Sequence, residues 1–266
     1  MHNFITLGDK SHEELKKLRL SISCSCGKDS VCTAILMYEM KIPIHSIVRY
    51  TNDADWPCME MIWDQLKQLY SDTDTKFVTL VGTPLLEQML QKHEYYAEGR
   101  KQFGYVPCGP LNRYGTKEKV LMLEQYSNEH NLTDVVGIAS DETKRKLLEY
   151  KCYPLVEFGI PETYCLRKCY DRGFYWEQMT DYGFTIRMYD YCDRLSCIYC
   201  GFCSAKQIAL IIAFFPSIYK RFCEMQMRLD TPFRYWASAF NWRERLEPDI
   251  IKLQSKFPGY FEISEV

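Results

Sequence analysis

Lys28 and Asp29, set in the run Ser25-Cys26-Gly27-Lys28-Asp29-Ser30, are the residues whose types and spacing point most directly to chemistry. The run follows a short β-like stretch, Leu18–Ser23, and precedes an apolar helical stretch, Val31–Met40. A strand that turns through small residues into a helix start is an anion site. Backbone N–H groups point outward there, and the helix dipole adds partial positive charge. Gly27 lets the backbone approach a phosphate or sulfate, Lys28 adds a point charge, and Ser25 and Ser30 add hydroxyl donors. The same residues also make an ordinary strand–helix turn with Ser30 as N-cap, and spacing alone does not separate the two readings.

The second candidate is Cys197-Ile198-Tyr199-Cys200-Gly201-Phe202-Cys203, three thiols at two-residue gaps. Cys197, Cys200 and Cys203 can converge on one metal, with zinc or an iron–sulfur cluster as the usual occupant. A fourth ligand comes from Cys108, in the Pro/Gly-rich loop Tyr105–Pro110, or from Cys192, just before the run. The five histidines (His2, His12, His45, His93, His130) lie upstream without ligand spacing. The chain has 13 cysteines, but its length and ordinary start do not suit an exported disulfide framework. Cys32, Cys165, Cys169 and Cys223 fit helical core faces as small apolar residues.

The elements around these residues alternate. Strands are expected at Ser46–Tyr50, Lys76–Val81 and Thr133–Ile138, with helices at Pro57–Tyr70, around Pro84–Lys92 and at Thr116–Asn131. Strands separated by helices imply a doubly wound α/β fold on a mostly parallel sheet, with ligands at the carboxyl ends of the strands. Past Tyr150 the pattern changes to helices and aromatic loops. Pro161 opens a helix, and further helices follow at about Ala205–Phe214 and Pro216–Leu229. The expected organisation is a nucleotide-binding core over 1–160 and a helical, cysteine-rich lobe over 161–266. At 266 residues, with 47% hydrophobic residues, the chain can bury one large core.

Composition excludes little. A net charge of −2 gives no global argument for nucleic acid and leaves a local basic groove open. The longest apolar run, Ile208–Phe215, is far too short to span a membrane, and Met1–Phe4 lacks a signal-peptide pattern, so a cytoplasmic protein is expected. Arginines and rings mix between Phe233 and Arg245, a composition that suits single-stranded nucleic acid and equally a helical packing face.

The ordered motifs carry a resemblance. The first loop resembles the pyrophosphate loop, S-G-G-K-D-S, of the adenine nucleotide alpha hydrolase (PP-loop) superfamily, and is most similar to its phosphoadenosine phosphosulfate (PAPS) reductase-like branch. Trp56-Pro57-Cys58-Met59-Glu60, Cys108, Gly137-Ile138-Ala139-Ser140-Asp141-Glu142 with Arg145, and Tyr153–Ile160 agree in order. So does the run from Tyr164 through Trp176 to Cys200. Proteins of this kind are frequent in bacteriophage and mobile-element genomes. The resemblance covers residues 18–247. It implies ATP or PAPS held by Ser25, Cys26, Gly27, Lys28, Asp29 and Ser30, with Thr51, Gly137, Asp141 and Glu142 around the site and Mg²⁺ as companion ion. It also implies cleavage at the α-phosphate or sulfate with Lys28, Asp29, Asp141 and Arg145 in catalytic roles. Cys108, Cys197, Cys200 and Cys203 would hold a [4Fe–4S] cluster or Zn²⁺. The acceptor would be a nucleic acid or a small molecule, with a sulfur or electron donor protein as a further partner. The departures are Cys26 for a glycine, Ala139 for an arginine, Thr51 for an acidic residue, Val106-Pro107-Cys108-Gly109 around the middle cysteine, and the absence of an E-C-G-x-H tail. Sulfite formation through that tail is therefore not expected. The alternative is a non-catalytic nucleotide- or nucleic-acid-binding protein with a structural zinc.

Overall fold

The computed structural model describes residues 4–109 and 113–261. In chain order the elements begin with α1 (His12–Leu18), β1 (Leu20–Ser23), α2 (Lys28–Glu39), β2 (Ile44–Thr51), α3 (Cys58–Leu69) and β3 (Lys76–Val81). They continue with α4 (Leu85–Met89), β4 (Lys92–Ala97), β5 (Arg100–Tyr105), α5 (Thr116–Glu129), β6 (Thr133–Val136), α6 (Pro154–Glu157) and α7 (Glu162–Asp171). Last come β7 (Glu177–Met179), β8 (Thr185–Arg187), α8 (Ala205–Phe214), α9 (Pro216–Gln226), α10 (Trp242–Arg245) and α11 (Glu247–Gln254).

The main sheet has four parallel strands in the order β3-β2-β1-β6, so this is an α/β fold. The chain winds outward from β1 to β3 and then returns to place β6 on the other side of β1. That reversal of winding makes the gap beyond the carboxyl ends of β1 and β6 the place where such sheets take ligands. Ser23 pairs with Val48 on one side and Val136 on the other, so β1 and β6 end at the same level. Leu20 and Ile22 are fully buried, as expected of a strand with neighbours on both sides.

The chain divides into two compact units, each built from three segments. One holds 1–51, 57–82 and 117–176, and contains the parallel sheet. The other holds 52–56, 83–116 and 177–266, with the hairpins β4–β5 and β7–β8, helices α8 to α11 and the cysteine run. The division therefore differs from a single break at residue 160. The sheet unit keeps α7 and runs on to Trp176, while the stretch between β3 and α5 goes to the other unit.

Several boundaries also differ from the sequence expectation. Leu18 closes α1, whose N-terminus carries a capping box between Ser11 and Glu14, and Arg19 turns the chain in the left-handed region before β1. The second helix starts at Lys28 rather than Val31. Its N-cap is Gly27, which overturns Ser30 as the cap of an ordinary turn. The expected helix 84–92 stops at Met89, because Lys92 opens the polar and aromatic hairpin β4–β5. Strand β6 stops at Val136, ahead of Gly137.

In the second unit Trp56 and Phe215 meet edge to face, and Phe222 contacts both Phe233 and Trp242. Phe233 and Trp242 are buried, so the arginine- and ring-rich segment is mainly a packing face. Tyr235, 94% exposed, and Phe240, 53% exposed, are its exceptions. Helix α8 is buried from Gln207 through Phe214 as a core element, and no helix among the described residues is long and apolar enough to cross a membrane.

Candidate nucleotide site and thiol centre

The loop after β1 is shaped by its own side chains. Ser30 Oγ accepts the Ser25 N–H at 3.2 Å and donates to the Gly27 carbonyl at 3.0 Å, while the Gly27 N–H donates to Ser25 Oγ at 3.4 Å. Cys26 takes φ +55° although it is not glycine, and its carbonyl accepts the Trp176 indole N–H at 2.7 Å. The first intrahelical bond of α2 runs from Val31 N–H to the Gly27 carbonyl. The N–H groups of Lys28, Asp29 and Ser30 therefore stand in the first turn, ahead of that bond.

Lys28 is buried, and its ammonium sits 3.6 Å from Asp29 Oδ2 and 3.2 Å from Glu162 Oε2. Burial pushes the Asp29 carboxyl above its ordinary range, Lys28 works against that shift, and Glu162 and Glu142 add to it. Asp29 Oδ1 is a buried oxygen without a hydrogen-bond partner among the described residues. An orphaned carboxylate oxygen amid other carboxylates fits a divalent cation in kind.

The segment after β6 closes the site. Gly137 lies so near the first turn of α2 that an added Cβ would stand 2.8 Å from the Asp29 carbonyl oxygen and 2.8 Å from Thr33 Oγ1. Ser140 N–H donates to the Ile160 carbonyl at 2.9 Å, and Asp141 Oδ1 accepts the Glu162 N–H at 3.1 Å. The structure thus brings together Ser25–Ser30, Gly137, Asp141 and Glu142, with Asp141 engaged at the start of α7. It holds Arg145 more loosely, half-exposed and 3.6 Å from Glu142. Thr51, at the end of β2, accepts from Arg49 at 3.2 Å, and Arg49 in turn pairs with Glu60. Sequence reasoning missed Glu162. Its only signal was the helix-opening proline before it, and the packing of α7 beside α2 was needed to place it beside Lys28.

In the other unit, the cysteine run is drawn against Cys108. A Cβ on Gly201 would land on the Cys108 carbonyl oxygen, so only glycine allows this approach. Burial pushes the Cys108 thiol up to about 11, with Cys200 as the next contributor. Burial also raises Cys200 and Cys203, and Cys203 further feels Cys200 and Cys197. Cys200 Sγ accepts the Phe202 N–H at 3.3 Å, and Cys203 Sγ accepts the Ser196 hydroxyl at 3.6 Å. Arg234 donates to the Gly201 carbonyl and lies within electrostatic reach of Cys200 and Cys203. Cys192 has different company. Burial raises it to about 12, and its charged neighbours are Asp193 and Lys206. Cys108, Cys197, Cys200 and Cys203 are donors of the kind a thiophilic metal or cluster takes, and they meet in pairs, Cys108 with Cys200 and Cys203 with Cys200 and Cys197. Among the described residues no three potential ligands stand at metal-ligating spacing.

No family model matches the chain, and no curated protein matches it. Among solved structures it is similar to the U34-tRNA thiolase NcsA from Methanococcus maripaludis with its [4Fe–4S] cluster. The identity is 12% and the TM-score 0.42, over 96% of this chain and 84% of that one. A likeness at this level carries no argument about this chain's chemistry.

Proposed function

We propose that this chain is a PP-loop nucleotide enzyme. It binds ATP or PAPS at the Ser25–Ser30 loop and cleaves or transfers at the α-phosphate or sulfate. It couples that step to a cysteine-held centre, for modification of a nucleic acid or a small acceptor. The observation that carries this reading is the loop's position. It links β1 to the first turn of α2 at the point where the sheet reverses its winding, with a buried lysine inside it. Oriented N–H groups and an ammonium suit a leaving pyrophosphate, because they stabilise charge that develops there without reorganising.

The roles follow from the contacts. Lys28 holds the departing phosphates, and Glu162 orients Lys28 through the 3.2 Å pair. Asp29 would hold Mg²⁺ through its unpartnered oxygen. Asp141 fixes the start of α7 and so the position of Glu162. Glu142 and Arg145 form the rim. Cys197, Cys200 and Cys203, with Cys108 as fourth donor, would hold a [4Fe–4S] cluster or Zn²⁺. Bound there, such a centre would supply sulfur or electron transfer to the activated acceptor.

The test is turnover with anaerobically purified protein. We expect pyrophosphate release from ATP, or sulfate release from PAPS, that Lys28→Ala abolishes. Iron and sulfide should be present with a broad visible absorption. Intact protein that neither binds nor cleaves either nucleotide would overturn the enzyme reading, and zinc without iron or sulfide would overturn the sulfur-transfer part of it.

A further inference from the structure

The nucleotide reading leaves two buried thiols of the loop unexplained. Cys24 follows β1, and its backbone N–H donates to the Val48 carbonyl at 2.8 Å. Its sulfur accepts the Cys26 N–H at 3.4 Å and lies 3.8 Å from Ser30 Oγ. The Cys26 side chain is a further hydrogen-bond partner of Cys24. Both residues are buried, and the only residue between them, Ser25, is exposed. The left-handed turn at Cys26 brings its side chain back toward Cys24, and the Trp176 indole holds the Cys26 carbonyl in that turn.

We propose that Cys24 and Cys26 form a redox modification site, a dithiol in the anion loop that peroxide converts to a disulfide within the loop. The Cys24 thiolate attacks a peroxide oxygen, the O–O bond breaks, and Cys24 becomes a sulfenic acid. The Cys26 thiol then displaces the hydroxyl as water and the S–S bond forms. Two thiols lose two electrons and two protons, and hydrogen peroxide leaves as two waters. A small-molecule thiol reverses the step by exchange. Cys24 is suited to lead. The Cys26 side-chain hydrogen bond, with smaller help from the Cys26 N–H and Ser30, lowers its thiol to about 7 against the opposing effect of burial.

The disulfide matters because Cys26 precedes Gly27, the N-cap of α2. Bridging Cys26 to Cys24 changes the peptide units that open the helix, so the oxidised loop no longer presents the same N–H groups to an anion. This consequence rests on the nucleotide reading; the disulfide itself does not.

Tryptic digestion offers a direct test, because the peptide Leu20–Lys28 contains Cys24 and Cys26 and no other cysteine. The full chain is treated with hydrogen peroxide, then denatured in iodoacetamide and digested. We expect this peptide to be lighter by two hydrogens and unalkylated, and to take two alkyl groups when dithiothreitol precedes the alkylation. ATP affinity should fall about tenfold on oxidation, the scale of one lost charge-assisted contact, and return with dithiothreitol. In Cys26→Gly and in Cys24→Ser the ratio of oxidised to reduced affinity should be about one. A peptide that takes two alkyl groups after peroxide, or a bridge from either residue to another cysteine, overturns the proposal. A disulfide in a protein that binds no nucleotide when reduced keeps the dithiol and overturns the nucleotide reading.

Discussion

Trp176 donates its indole N–H to the carbonyl of Cys26 at 2.7 Å, although 150 residues separate them. Both are fully buried, so this bond braces a turn that costs a side-chain-bearing residue about 1–2 kcal/mol. Trp176→Phe removes the donor and leaves a buried carbonyl unsatisfied. We expect a loss of about 1–3 kcal/mol in a denaturant titration, together with weaker nucleotide binding. Cys26→Gly should gain stability by relieving the turn. No gain in that variant would mean that the positive φ carries no strain.

Gly137 is where two elements of the site touch. An alanine there would put its Cβ 2.8 Å from the Asp29 carbonyl and from Thr33 Oγ1, and backbone cannot yield as a flexible side chain can. Gly137→Ala should cost about 1–3 kcal/mol and should weaken nucleotide binding by forcing the end of β6 away from α2. Calorimetry of the folded variant reads the second effect separately from the first.

Asp29 sets function against stability. Burial raises its carboxyl above the unfolded value, so the native state binds its proton more tightly than the unfolded chain does. The contribution to stability is therefore greatest at acid pH and declines as pH rises above the ordinary carboxylate range. Asp29→Asn should remove that slope and raise the thermal midpoint at neutral pH, by about 2–4 °C per kcal/mol relieved. Activity should fall on the order of 100-fold, as for other single electrostatic contacts to a transition state. An unchanged or lower midpoint at neutral pH would show that the ion pair with Lys28 outweighs burial.

The thiol centre separates its two candidate fourth ligands. Cys108→Ser should lower metal content in elemental analysis, and Cys192→Ser should leave it near the wild-type value, because only Cys108 shares its surroundings with Cys200. Gly201→Ala should behave like Cys108→Ser, since the added methyl displaces the carbonyl of Cys108. Metal loss confined to Cys192→Ser would reverse the assignment.

Much of this was legible in the sequence where local chemistry decides. The run Lys76–Val81 is a strand as its β-branched and aromatic residues indicate, and α8 and α9 begin at Ala205 and Pro216 as expected. The hairpin β4–β5 was not legible, because its strands are polar and aromatic without an apolar stripe, and its turn is made by Glu98 and Gly99 at positive φ. Cys26 was legible as a departure from glycine but not as a left-handed residue. That takes the backbone, and so does the pairing of Lys28 with Glu162, which depends on α7 lying beside α2. Leu18 was misplaced because a leucine before a strand and a leucine ending a short capped helix look alike.

The strand order has a consequence for how the chain folds. β1, β2 and β3 occur within the first 81 residues, whereas β6 begins at Thr133, after the 83–116 excursion into the other unit. The pairing of Ser23 with Val136 therefore closes a long loop, whose entropy must be met before the contact is rewarded. During synthesis β1 emerges with one edge bare until the ribosome has passed Val136.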